Sequence, residues 1–358
     1  AQINQGDQSK TNTISAPIFL LSALNITNAD TTDALTLSGA VVNGGNTLNI
    51  LGTGETSIGG SISGLGGITM NGAGRLRLNN PAVANSFSGD LVINAGEVLD
   101  YQFNDLGTGN LTLNGGVLVG YWGETLTRTL GAGPGQVQIT GGASGFCGQG
   151  TTGSAVKVNN DSHFELVWGA PNEGGNANAT GYFNPSTLVL QSPWANDGGN
   201  LNFQNKIDLN GANRTIAVNK DHHGNLGGSA TISNVIRNSS TTSTAGITKT
   251  GPGRLIINNT GNSYDGPTVV NEGILQIGTG WTNSQSIPGG ITPSAPGAGS
   301  NLVVNGGMIA VWYEFTRPLG TGGTEVQFTG GTSGITQRQG DRPTFRFGTT
   351  DTEVVWGT

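Results

Sequence analysis

The sequence has very little charge and a single cysteine. Charged residues make up 10% of its 358 residues and the formal net charge is −7, whereas soluble domains carry about 25% charged residues. So few charges argue against a solvated disordered chain. The scattered Lys and Arg residues exclude the basic patches that nucleic-acid binding requires, so we expect no nucleic-acid partner. Cys147 has no second cysteine to pair with, and we interpret it as a small buried apolar residue.

Long apolar runs are also missing. The longest, residues 17–26, is too short to cross a bilayer, which predicts a protein that does not span a membrane. The chain begins at Ala1 rather than at a methionine, as a protein does after removal of a signal peptide. We therefore expect a secreted protein.

Recognisable catalytic and metal-binding chemistry is scarce. The chain has three histidines, and the adjacent His222 and His223 would point to opposite faces of a strand. Calcium-binding nonapeptides, phosphate-binding loops and nucleophile elbows are absent from the sequence. We predict no metal site, no cofactor and no catalytic residue, and hence no enzyme.

Two aromatic and charged clusters repeat along the chain. Glu124 and Arg128 follow Trp122, and Glu314 and Arg317 follow Trp312. An enzyme seldom needs two copies of one site, so the duplication favours a structural role. The alternative is that the exposed tryptophans, Trp122 and Trp312, contact a surface glycan.

Glycine and short alternating segments are what the sequence has in abundance. It contains 63 glycines, which disfavour helix interiors and favour tight turns. Between Gly- and Asn-rich steps lie apolar triplets with one intervening residue, as in Leu35–Leu37, Leu76–Leu78 and Leu91–Ile93. Such alternation predicts short strands with one buried and one outward face.

The chain also contains an internal duplication. Its clearest pairs are GAGRLRLNN (72–80) with GPGRLIINN (251–259), NLTLNGG (110–116) with NLVVNGG (301–307), and VQITGGASG (137–145) with VQFTGGTSG (326–334). The duplication predicts two solenoid units, at residues 35–170 and 201–358. Residues 1–34 are predicted to be a separate N-terminal segment, a cap or donated strand, and residues 171–200 a connecting loop region.

Short strands of this kind are stable when they stack in parallel. The fold class predicted is all-β, a right-handed parallel β-helix with an internal duplication. At roughly 20–25 residues per coil, the chain would hold on the order of fifteen coils. The alternative is a pair of antiparallel β-sandwiches, which also use short strands and Gly-rich turns.

One segment resembles a known family. Residues 251–275 contain Gly-x-Gly-x-Leu, then Asn-x-Tyr-x-Gly, then Thr-x-Val and Gly-x-Leu, and residues 72–99 form a looser copy. This pattern is similar to the autotransporter-associated β-strand repeat. The resemblance implies a bacterial passenger-like β-helix, secreted or at the cell surface, and supplies no catalytic residues.

The ends of such a rod suggest its function. Unpaired strand edges at the end of a solenoid can pair with another chain. We predict a structural protein that assembles head to tail into an extracellular filament or surface matrix, with an adhesin or glycan-binding passenger as the alternative. The residues predicted to mediate assembly are Pro17, Ile18, Phe19, Leu20, Leu21, Leu24, Ile26, Val354, Val355 and Trp356.

Overall fold

The structure is a computed structural model. It describes residues 1–8, 10–78, 84–103, 106–121, 123–150, 152–170, 177–191, 199–219, 228–277, 287–288, 299–311, 314–337 and 344–348. Within these residues, none of the helical structure has the length and apolarity of a membrane-spanning helix.

Short strands follow one another from end to end of the described chain, with one 3-10 turn at Val158–Asn160. The first strands are β1 (Gln2–Gln5), β2 (Asn12–Ile14), β3 (Ile18–Phe19), β4 (Leu24–Asn28), β5 (Leu35–Leu37), β6 (Val41–Val42), β7 (Leu48–Gly52), β8 (Glu55–Ile58), β9 (Ile62–Gly64), β10 (Ile68–Met70), β11 (Arg75–Leu78), β12 (Ser86–Phe87), β13 (Leu91–Ile93), β14 (Glu97–Asp100), β15 (Leu111–Asn114), β16 (Val117–Tyr121), β17 (Thr125–Leu126) and β18 (Thr129–Leu130). They continue as β19 (Gln136–Gly141), β20 (Ala143–Gln149), β21 (Ser154–Val156), β22 (Glu165–Val167), β23 (Thr187–Leu190), β24 (Asn200–Phe203), β25 (Lys206–Asp208), β26 (Arg214–Ala217), β27 (Ser229–Ile232), β28 (Ile236–Arg237), β29 (Ile247–Thr250), β30 (Arg254–Ile257), β31 (Thr268–Val270), β32 (Ile274–Ile277), β33 (Leu302–Asn305), β34 (Met308–Val311), β35 (Glu314–Thr316), β36 (Val326–Gly330), β37 (Gly334–Gln337) and β38 (Thr344–Arg346).

Equivalent strands of successive coils pair side by side. Sheet I has the order β1-β4-β7-β10-β13-β15-β19-β18, sheet II β2-β5-β8-β11-β14-β16-β20-β23-β26-β29-β31-β33-β36, and sheet III β12-β9-β6-β3. Sheet IV has the order β17-β21-β24-β27-β30-β32-β34-β37, sheet V β22-β25-β28, and sheet VI β35-β38. Sheet II therefore runs through the molecule with 13 strands, close to the number of coils predicted.

The core is a column of apolar side chains inside the coils. Many strands alternate buried and more exposed residues, as in β4 and β5. Inward rungs such as Ile26, Ile50 and Met70 lie at most 1% exposed, and in-register pairing places them one above another. The inward residues of the stacked strands thus form a continuous core along the solenoid axis.

The pairing confirms a parallel β-helix. The pairs between β4 and β7, β14 and β16, and β30 and β32 are all parallel, which excludes the antiparallel sandwich. Parallel crossovers are right-handed in about 98% of cases. The glycine-rich turns serve close stacking: a Cβ on Gly96 (φ +59°) would lie 2.3 Å from the Gly74 carbonyl oxygen, and one on Gly273 (φ +66°) 2.5 Å from that of Gly251.

Two of the predicted segments contribute strands to the stacked sheets. Residues 1–34, predicted as a separate N-terminal segment that forms a cap or donated strand, contribute β1, β2 and β3, which pair in register with β4, β5 and β6. The described part of residues 171–200, the predicted connecting loop region, includes β23, a rung of sheet II between β20 and β26. A coil can form without matching the repeat, because stacking needs alternating burial rather than a particular sequence.

The duplicated segments make the same contacts. Asn110 Nδ2 donates to the carbonyls of Gly131 and Gly133 at 2.9 and 3.0 Å. Its counterpart Asn301 donates to the carbonyls of Gly320 and Gly322 at 3.1 and 2.8 Å. The internal duplication is therefore a duplication of structure as well as of sequence.

The second copy is nevertheless shifted to the next sheet. In the first copy β10 lies in sheet I and β11 in sheet II, while their counterparts β29 and β30 lie in sheets II and IV. The coils between the two copies thus displace the second copy by one face of the solenoid. Matching outer surfaces of the two copies lie in different sheets.

Candidate functional site

A groove lies against sheet V, where three coils stack. Strands β22, β25 and β28 pair in parallel, with Glu165 opposite Lys206 and Asp208 opposite Arg237. The intervening residues, Leu166, Ile207 and Ile236, are fully buried in the core. Because side chains alternate along a strand, the charged residues are placed on the other face.

Asparagine amides fix the segment that borders the groove. Asn205 Nδ2 donates to the carbonyls of Val158, Asp161 and Phe164 at 3.1, 3.0 and 3.2 Å, and its Oδ1 accepts the Val158 amide at 2.7 Å. Asn234 Nδ2 donates to the carbonyl of Ser162 at 2.7 Å. Two successive coils therefore hold residues 158–164 in place.

An ion-paired cluster forms one wall. Arg237 Nη2 lies 2.6 Å from Glu165 Oε2, and Nε also donates to Glu165. Arg237 Nη2 lies 3.7 Å from Oδ2 of the fully buried Asp208. The hydrogen bond to Glu165 raises the pKa of Arg237, so the guanidinium stays charged.

The remaining lining is mixed in character. The groove has a volume of about 510 Å³ and is lined by Asp161, His163, Phe164, Glu165, Asn178, Lys206, Val235 and Arg237. Asp161 and His163 are well exposed, and the Asp161 carboxylate accepts the His163 backbone amide at 2.8 Å. Phe164 is half-buried and packs on the core.

The size and lining of the groove are compatible with ligand binding. Hydrogen-bond acceptors and donors alternate around a depression of a size typical of small-molecule sites, about 300–1,000 Å³. The described lining contains no serine, threonine or cysteine that could act as a nucleophile. Across the described residues, no group of three His, Cys, Asp or Glu side chains is placed to hold a metal ion.

The apolar N-terminal residues predicted to mediate assembly divide into two sets. Leu20, Leu24 and Ile26 are buried in the solenoid core, and Ile18 is half-buried against it. Pro17, Phe19 and Leu21 are exposed, the last two by 68% and 95%. The structure brings these residues into the first two coils, and their role in assembly stays a prediction.

The other predicted contact residues, Val354, Val355, Trp356, Trp122 and Trp312, lie outside the described residues. Beside position 122, the Tyr121 ring lies 5.0 Å from the Tyr101 ring of the preceding coil, tilted by 55°. The arginines of the repeated clusters bind backbone: Arg128 Nη2 donates to the Gly107 carbonyl at 2.7 Å, and Arg317 Nη1 to the Ser300 carbonyl at 2.8 Å. These contacts support the structural interpretation of both arginines.

The sequence patterns do not predict the groove. Its residues come from three coils and the segment that follows the 3-10 turn, so Glu165, Lys206 and Arg237 are far apart along the chain. The available signal was a charged residue within each of three short strands of a low-charge protein. Without the register of those strands, the charges could not be assigned to one surface.

Two segments of the chain match a known family of repeats. Residues 68–99 and 247–277 match the passenger-associated-transport-repeat family, which confirms the resemblance to autotransporter passenger repeats. The two matches cover the equivalent segments of the internal duplication, so both copies carry this repeat.

One known protein is similar to this chain well beyond the two repeat segments. The chain is 30% identical over 351 residues to the BmaC autotransporter adhesin of Brucella suis biovar 1, and the alignment covers 85% of this chain. The chain spans 9% of the length of that relative. No solved structure matches the chain.

Proposed function

We propose that this chain is a solenoid segment of a bacterial surface adhesin passenger. The observation that carries the proposal is the similarity to an autotransporter adhesin over 85% of the chain, well beyond the two matched repeats. Location at the cell surface or in the medium, and the absence of enzymatic activity, are parts of the same proposal.

The fold is compatible with this role on physical grounds. A parallel β-helix grows in length with each coil while its core stays narrow, so it exposes long lateral surfaces. The groove on sheet V lies on such a surface. The end-to-end filament predicted from the sequence gains no support from the relative, which favours the adhesin alternative.

Binding to host cells tests the proposal. The purified, fluorescently labelled chain should bind cultured mammalian cells saturably, and an excess of unlabelled chain should compete. An unrelated parallel β-helix of similar length, labelled equally, serves as the control for non-specific adsorption. Binding no greater than that of the control would overturn the adhesin proposal.

Sedimentation and electron microscopy of the same preparation distinguish the adhesin proposal from the filament alternative. Monodisperse short rods that bind cells are the expected result. Long regular polymers without cell binding would restore the filament interpretation and remove the adhesin one.

A further inference from the structure

We propose that the groove on sheet V binds a neutral saccharide. This inference rests on the proposed adhesin role and names the class of ligand that one of its surfaces recognises. Three features of the groove support it: the side chains that line it, the balance of their charges, and the hydrogen bonds that hold residues 158–164.

The polar lining matches the hydrogen-bonding capacity of sugar hydroxyls. Asp161 and Glu165 offer carboxylate acceptors, and Lys206 and Arg237 offer charged donors within the same depression. A hydroxyl group both donates and accepts, so it can be satisfied between an acceptor and a donor. Hydrogen bonds to charged partners are the stronger ones.

An apolar wall completes the site. Phe164 and Val235 line the groove and are half-buried, leaving part of each side chain accessible. The C–H face of a sugar ring can pack on such a surface while its hydroxyls reach the polar wall. Binding pockets commonly combine apolar walls with a few placed polar groups.

The charge balance argues against an acidic ligand. The Arg237 guanidinium is already engaged by Glu165 and lies close to the buried Asp208. Lys206 shares the groove with the carboxylate of Asp161. The lining thus carries two basic and two acidic side chains, with the buried Asp208 beside Arg237, and so has no net positive charge to attract a uronate or a sulfate.

The groove is also organised before a ligand arrives. The amides of Asn205 and Asn234 bind the carbonyls of residues 158–164. A preformed site loses less conformational entropy on binding. The volume of about 510 Å³ accommodates a short oligosaccharide rather than a single small ion.

The experiment uses defined oligosaccharides and the full chain. Maltotriose, mannotriose and cellotriose serve as neutral probes, and oligogalacturonate and heparin-derived tetrasaccharides as acidic ones, with binding measured by calorimetry and saturation-transfer NMR. We expect at least one neutral probe to bind and both acidic probes to fail. Asp161→Asn and Lys206→Met should each weaken binding of the neutral probe about tenfold.

Matched substitutions on a distant coil provide the control. Asp7 and Lys10 are exposed in the first coil, so Asp7→Asn and Lys10→Met should leave saccharide binding unchanged. Circular dichroism melts of all variants exclude unfolding as the cause of a loss. Failure of every neutral probe, preferential binding of acidic probes, or neutral binding that the groove variants do not alter would each overturn the inference.

The cell-binding assay distinguishes this inference from the proposed function. Wild-type chain that binds cells but no neutral probe retains the adhesin role and loses the saccharide site. Chain that binds a neutral probe through the groove but no cells loses the adhesin role and retains the site.

Discussion

The two repeat copies, residues 68–99 and 247–277, have the same backbone but different interiors. Both carry the same family repeat, and their strands pair with the same parallel register. In the first copy Arg75 is buried against Glu97, whereas in the second Arg254 lies opposite Ile274. The difference shows that turn geometry and alternating burial define the coil. The chemical character of the side chains at equivalent positions can differ.

The largest expected effect comes from the buried ion pair of the first copy. The side chains of Arg75 and Glu97 are 2% and 1% exposed and form a salt bridge, with Glu55 3.9 Å from Arg75. Glu97→Ile installs the residue of the second copy and leaves the Arg75 charge buried without its main partner. We expect a loss of about 3–5 kcal/mol in unfolding free energy, measured by denaturant titration.

The second copy supplies the reciprocal control. Arg254 is half-buried and its Nε has no hydrogen-bond partner, so Ile274→Glu adds a carboxylate opposite an available donor. The change in stability should stay within about 1 kcal/mol. Equal losses for Glu97→Ile and Ile274→Glu would show that the two interiors are energetically alike.

The next largest effect concerns pH and Lys249, whose counterpart in the first copy is Met70. Lys249 is fully buried, and its Nζ donates to the carbonyls of Thr250, Gly251 and Glu272 at 2.8, 2.5 and 3.0 Å. Desolvation lowers the pKa of Lys249 from 10.5 to about 7, against a smaller opposing effect of the Glu272 charge.

The direction of the pH effect follows from proton uptake. Between pH 7 and 10.5 the unfolded chain holds the Lys249 proton more tightly than the folded chain, so stability should rise with pH. The slope attributable to Lys249 is at most about 1.4 kcal/mol per pH unit. Lys249→Met should remove that slope from thermal melts recorded between pH 7 and 10. Identical slopes in the wild type and the variant would show that Lys249 titrates normally.

A smaller loss of stability is expected at a position where the first copy has apolar side chains and the second has a row of hydrogen-bonded hydroxyl groups. Tyr264 is buried, with its hydroxyl 2.7 Å from Thr268 Oγ1, which lies 2.8 Å from Ser300 Oγ. The first copy has Phe87 and Leu91 at the first two positions. Phe87→Tyr therefore buries a hydroxyl without those partners, and we expect a loss of about 1–3 kcal/mol by chemical denaturation.

Tyr264→Phe is the matched substitution. It removes one hydrogen bond while Thr268 keeps Ser300 as a partner, so the expected loss is about 1 kcal/mol. A smaller loss of unfolding free energy for Phe87→Tyr than for Tyr264→Phe would contradict this prediction. It would mean that the new hydroxyl group finds a hydrogen-bond partner in the first copy.

The smallest effect is expected in the outward asparagine ladders. Asn94 donates to Asn71 at 2.8 Å and accepts from Asn114 at 3.2 Å, whereas Asn271 accepts from Asn305 at 3.1 Å. These bonds are exposed, so Asn94→Ala and Asn271→Ala should each lower stability by about 1 kcal/mol or less. Differential scanning calorimetry can compare both variants, and a loss above that of Glu97→Ile would mean that the ladders rather than the core limit stability.

Much of the fold could be predicted from the sequence, because its signals are local. Alternating triplets, Gly- and Asn-rich turns and the duplicated motifs were enough to predict a parallel β-helix. Residues 2–19 were harder, because β1, β2 and β3 form a coil without matching the repeat. The groove was beyond prediction, because Lys206 and Arg237 share a surface only through the register of β25 with β28.

The sequence by itself determined that the chain builds coils, since alternation and turn residues act over a few neighbouring positions. It also determined the duplication, which the equivalent contacts of Asn110 and Asn301 reproduce. The tertiary structure alone decided which sheet each copy occupies and which charges meet. Both depend on the number of residues in each coil, because this number determines where the next strand stacks. Small differences between coils add up along the whole solenoid.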